Sequence, residues 1–129
     1  HAVGFGAALV QAKRYEEAVT LFRKLLTIAP EHATIRANLA TALFQLKRYS
    51  EAKLEFRWLT ENRPDSAAAF YFLGISHDQL SEFLDALANY QQFLRLADPE
   101  ADKLEIEKVN LRLPAVQKLI KSGKGKKRE

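Results

Sequence analysis

Three histidines, His1, His32 and His77, are the side chains best suited to acid–base or metal chemistry near neutral pH. They stand 31 and 45 residues apart, and none has a second ligand at the i, i+3 or i+4 spacing of a helical metal site. His77 has Asp78 beside it and Ser81 four residues on, the outline of a base with an orienting partner. The carboxylates Glu16, Glu17 and Glu51 stand in pairs or singly at points where helices are expected to begin, and there negative charge suits the positive end of the helix dipole. The five glycines build no phosphate-cradling loop, since Gly6 and Gly74 fall in helical runs and Gly123 and Gly125 in a basic tail. With no cysteine, disulfides, thiolate metal sites and thiol nucleophiles are excluded. The residues therefore point to binding rather than catalysis: no catalytic group, metal or cofactor is expected. The side chains that could do the binding are apolar and amide ones, together with the single tryptophan, Trp58.

What must position them is a repeat. Arg14-Tyr15-Glu16-Glu17-Ala18 recurs 34 residues later as Arg48-Tyr49-Ser50-Glu51-Ala52, and after another 34 as Glu82-Phe83-Leu84-Asp85-Ala86. In step with these run Gly6, Ala40 and Gly74, then Phe5, Leu39 and Leu73, then Phe22, Phe56 and Tyr90. Pro30 and Pro64 also match, while the third copy holds Asp98 there and its proline one residue later. Each copy reads as two helices. In the second, Leu39, Leu43 and Leu46 keep helical spacing, a turn falls at Lys47-Arg48, and Ala52, Phe56 and Leu59 resume the period until Pro64. A bulky side chain at the small positions would hold neighbouring helices apart. One helix pair cannot bury its own apolar face, so the pairs must stack on a shared core.

This period and this set of small, aromatic and proline positions resemble the tetratricopeptide repeat family over about residues 1–100. The resemblance implies an all-α, right-handed α–α superhelix of three helix-turn-helix repeats, about 1–32, 33–66 and 67–100. It departs from the family in the first helices, where the early large aromatic is Ala2, Arg36 and Phe70, and the later tyrosine is Leu9, Leu43 and His77. By its repeat equivalents His77 fills a core slot. Beyond the repeats, Ile106, Val109, Leu113, Val116 and Ile120 form one apolar stripe, which predicts a capping helix over about 101–120 that Pro114 kinks or restarts. Lys103, Glu107 and Lys108 would face water, and so would Lys53 beside Ala52.

In the family, the first helix of each pair lines an inner groove that takes a partner's peptide segment. The resemblance places Val3, Ala7 and Gln11 there from the first copy, Asn38, Thr41, Phe44 and Gln45 from the second, and Tyr71, Phe72, Ile75, Asp78 and Gln79 from the third. A groove this apolar suits a contact surface better than open solvent. The subclass that clamps the acidic carboxy-terminal tail of a chaperone is not matched. Of its five positions only Asn38 agrees, the others holding Val3, Ala7, Ala68 and Phe72. Trp58 sits at a second-helix position whose equivalents, Lys24 and Gln92, look solvent-facing. It is a candidate contact on the outer, convex face, or else lies under the stem of Arg57 or Arg23.

The net charge is +4, but its placement argues against nucleic acid as the main partner. From Ala115 onward six basic residues face one acid, and everything before carries a net charge of −1. The excess lies in the tail 121–129, expected to be disordered because it has no apolar residue to bury. No apolar run reaches the eighteen or so residues that span a bilayer. The expected function is thus that of a scaffold or adaptor binding a protein or peptide. The alternatives are an accessory module of a longer enzyme or of a secretion or assembly component, or contact of the basic tail with nucleic acid or anionic membrane. The first pair lacks a cover at its amino end, which would permit self-association there. The compartment is not legible, with cytoplasm and periplasm both open.

Overall fold

In the computed structural model residues 1–124 are described, and among them seven helices and no strands are found. They are α1 (Ala2–Gln11), α2 (Tyr15–Ile28), α3 (Ala33–Gln45), α4 (Tyr49–Asn62), α5 (Ala67–Gln79), α6 (Phe83–Leu96) and α7 (Lys103–Lys121). The all-α superhelical repeat architecture holds: α1 and α2, α3 and α4, and α5 and α6 form successive antiparallel pairs, each stacked on the next.

The turn inside each pair repeats at the level of single hydrogen bonds. Lys13, Lys47 and Ser81 adopt left-handed φ values of 60°, 59° and 62°. Around them Lys13 N–H donates to Val10 and Arg14 N–H to Leu9, and the same two bonds recur 34 residues on in each later turn. This double bond satisfies the last carbonyls of the first helix without a glycine. Each inter-pair turn is instead closed by a side chain: His32 Nδ1 accepts from Ile35 N–H at 3.4 Å and Ser66 Oγ from Ala69 N–H at 3.3 Å.

The small positions work as close-approach points. Ala18, Ala52 and Ala86 are fully buried. A Cβ added at Gly6 would stand 2.3 Å from Phe22 Cε1, and one at Gly74 would stand 2.8 Å from Tyr90 Cδ1. One cluster of buried residues runs from Leu9 through Leu39, Leu43 and Phe56 to Leu73, and a second gathers Tyr71, Tyr90 and Phe93 beneath Val109 and Val116 of α7. Phe72 packs against both.

Three expectations are corrected. Pro114 does not restart the last helix, because α7 runs unbroken across it, its face toward α6 held by Val109 and Val116. The basic tail was expected from residue 121, yet Lys121 closes α7 and Lys124 N–H still donates to the Leu119 carbonyl; residues 125–129 lie outside the described range. Lys53, whose position beside Ala52 suggested exposure, is buried at 8 %, with Nζ 2.9 and 2.8 Å from the two carboxylate oxygens of Glu82. No helix of the described residues is long and apolar enough to cross a membrane.

Candidate functional site

The histidines and carboxylates that could have done chemistry are committed to structure. His32 caps α3, and His77, 2 % exposed, sits in the core with Nδ1 2.9 Å from Glu82 Oε1. Its partner is therefore Glu82, not Asp78 or Ser81, and that carboxylate is already held by Lys53. Glu17 pairs with Arg14, Glu16 with Arg48, and Glu51 with both Arg48 and Arg23. The hydrogen bond from Arg48 is the main reason the Glu51 carboxyl lies below its ordinary range. Among the described residues no group of three or more histidines, cysteines or acids is placed to hold a metal.

Two hollows open beside α3 and α5. A shallow depression of about 350 Å³ is lined by Thr34, Ala37 and Thr41 of α3, by Ala68 and Phe72 of α5, by Phe56 and Leu59 of α4, and by Arg63, which caps α4. Beside it Thr41, Phe44, Gln45, Phe56 and Phe72 enclose a smaller hollow. The aromatic floor is rigid: Phe72 stacks on Phe56 at 5.6 Å and meets Phe44 edge-on at 5.1 Å, and Phe44 in turn meets Tyr49. Small side chains on α3 and α5 leave this floor open from above.

A second depression, of about 560 Å³, lies between α5, α6 and α7 and is lined by Tyr71, Ile75, Asp78, Gln79, Tyr90, Lys108 and Arg112 among others. Here the cap intrudes on the expected groove. Tyr71 is 8 % exposed and packs on Phe93 at 5.1 Å, so most of its surface serves the core under α7. Asp78 accepts from Nε and Nη2 of Arg112, each at 2.8 Å, and from the Tyr90 hydroxyl at 2.8 Å. Burial, and then the Asp78 charge, push the Tyr90 phenol far above its ordinary value. An Asp expected to meet a ligand thus ties α7 to α5.

Of the remaining groove residues, Val3 is half-buried against the first cluster and Ala7 half-buried, Gln11 is exposed, and Asn38 is half-buried on α3. Thr41, Phe44, Gln45 and Phe72 are brought together, Tyr71, Ile75, Asp78 and Gln79 line the separate depression by α7, and Asn38 and the α1 residues line neither. Trp58 is half-buried, and the guanidinium of Arg36 lies 5.1 Å from its ring centre. Arg36 also holds Glu55 at 2.9 Å and the Pro30 carbonyl at 3.0 Å. Arg36 occupies the slot where the family has an aromatic, and it covers Trp58 instead. The lining residues not expected from the sequence are Phe56, Leu59 and the capping Arg63 in the first depression, and Lys108 and Arg112 of α7 in the second.

A tetratricopeptide repeat family model matches residues 9–74, half of the chain, and the chain belongs to that family. Its fold is a protein-interaction scaffold. Among solved structures, the SycD translocator chaperone of Yersinia enterocolitica type III secretion superposes with a TM-score of 0.81 at 17% identity, over 94% of this chain and 83% of that one. The first tetratricopeptide domain of Spaghetti (RPAP3), bound to the HSP90 peptide SRMEEVD, gives 0.76 at 19% identity, over 92% of this chain and 90% of that one. MamA from Desulfovibrio magneticus RS-1, residues 41 to the end, gives 0.74 at 24% identity, over 94% of this chain and 75% of that one. At these identities the likeness is one of fold. No curated protein matches the chain.

Proposed function

We propose that the chain is a binding module, not an enzyme, and that it takes an extended peptide segment of a partner protein in the groove on α3 and α5. The observation that carries this reading is the aromatic floor of Phe44, Phe56 and Phe72 under an opening walled by Thr34, Ala37, Thr41 and Ala68. A preformed concave apolar surface with an amide beside it, here Gln45, suits main-chain and side-chain recognition of a peptide. A peptide is also what the Spaghetti (RPAP3) domain holds on the same fold. An acidic chaperone tail is a poor fit here, since Val3, Ala7, Ala68 and Phe72 replace the charged and amide residues that would clamp it.

Thr41 and Ala68 are exposed on the walls, so replacing them blocks the groove without hollowing the core. Thr41→Arg and Ala68→Arg should each weaken a partner captured by the full chain by on the order of 1–2 kcal/mol or more. Isothermal titration reads the loss, and circular dichroism should show unchanged helix. If both variants bind normally while Trp58→Ala abolishes binding, the partner sits on the other face and the groove reading fails.

A further inference from the structure

The groove is uneven in charge. The larger apolar depression has one ionised side chain on its border, Arg63. Arg63 closes α4: its backbone N–H is bonded to the Leu59 carbonyl, and its own carbonyl takes the Ser66 N–H at 3.0 Å. Two backbone bonds therefore fix its main chain beside the depression that it lines. Arg14, Arg23, Arg36, Arg48 and Arg112 each hold a Glu or Asp of this chain. Among the described residues Arg63 holds none. The far end of the groove is more nearly balanced, since Arg112 is neutralised by Asp78 and Lys108 shares its end with Glu105, whose charge is felt at Tyr71.

We infer that the groove selects a segment carrying an apolar side chain on the Phe72 floor and an Asp or Glu side chain close by that pairs with Arg63. This rests on the peptide-groove reading and names its occupant. Arg63 and Phe72 line the same depression, so anchor and carboxylate fall close together along the segment. A guanidinium free of internal partners gives up no existing ion pair to bind a carboxylate, and beside an apolar floor the pair is partly shielded from water. A lysine or arginine at that place in the ligand would meet Arg63 with like charge.

The test uses the full chain and short peptides, acetylated and amidated so that no terminal charge enters. They carry one Leu or Phe in a Gly/Ser background with Glu, Ser or Lys at nearby positions. Anisotropy titration should show binding only where anchor and Glu occur together, and exchange of Glu for Lys should weaken it about tenfold. Arg63→Glu should reverse that preference and Arg63→Gln erase it, with melting temperatures unchanged because Arg63 is exposed. Thr41→Arg should abolish binding of every peptide. If the native chain binds apolar peptides without regard to charge, or if Arg63→Glu leaves the preference unchanged, this inference is overturned and the groove stands. If no amidated peptide binds, the inference is overturned too. Tight binding confined to peptides with a free carboxyl terminus would reassign Arg63 to a chain end, and likewise overturns it.

Discussion

Replacing Gly74 by alanine tests the packing on which both α6 and the cap depend. The new Cβ would stand 2.8, 3.0 and 3.4 Å from Cδ1, Cε1 and Cγ of Tyr90. Ordinary carbon contacts lie at about 3.5–4.0 Å, so the ring must retreat by roughly 0.7 Å or more. It has little freedom to do so, being 3 % exposed, with its hydroxyl bonded to Asp78 at 2.8 Å and Asp78 held by Arg112. Overpacking costs about 1–3 kcal/mol, and a strained hydroxyl bond adds about 0.5–1.5 kcal/mol. The better helix propensity of alanine returns about 1 kcal/mol. The net expectation is a loss of about 0.5–3.5 kcal/mol, read as a lower urea midpoint at constant slope. In a Tyr90→Phe background, where the ring is no longer tethered, the same substitution should cost less by about 1 kcal/mol, a coupling that a double-mutant cycle resolves. A neutral or stabilising Gly74→Ala in the native background would refute the claim that the glycine is required by close approach.

Ala52→Leu, at a fully buried position, should cost about 1–3 kcal/mol by denaturation midpoint. Lys53→Ala takes the cation from Glu82, whose side chain keeps 25% of its exposure, and should cost about 1–3 kcal/mol, whereas exposed Lys108→Ala stays within about 0.5 kcal/mol. Burial raises the phenols of Tyr90 and Tyr71, so their folded forms hold the proton more tightly than the unfolded chain. Their contribution is intact below the ordinary phenol value of about 10 and drains away as pH climbs above it. Alkaline unfolding curves should therefore fall less steeply in Tyr90→Phe, once its lower starting stability is subtracted.

The repeat was legible because its positions are dictated by contacts within and between adjacent pairs. Gly6, Ala40 and Gly74 mark close approach, and Phe22, Phe56 and Tyr90 fill the space opposite. The same logic put His77 in the core, since its equivalents are Leu9 and Leu43. Applied to Lys53, whose equivalents are Val19 and Leu87, it would have found a buried lysine. Applied to Glu82, which replaces Arg14 and Arg48, it would have found the partner. The left-handed turn residues carried no glycine to announce them. The fate of Tyr71 and Asp78 was not legible, because it depends on the pose of α7, which lies outside the 34-residue period. Arg63 escaped notice for a related reason: it belongs to the end of a second helix, and the groove was read from first helices alone.

Phe72 stands where the two buried clusters meet, and the main packing contacts join only helices next to or one removed from each other in the chain. A protein connected in this way has no single keystone; its stability is a sum of neighbour terms, and opening can begin at either end and halt partway. The seam between α4 and α5 is the natural halting place, with α1–α4 on one side and α5–α7 on the other. A ligand resting on Phe72 and touching α3 and α5 together spans that seam, so its binding free energy is added to the work of parting the halves. Occupancy would then turn two loosely coupled units into one cooperative body, and amide exchange would slow in α6, far from any atom the ligand touches.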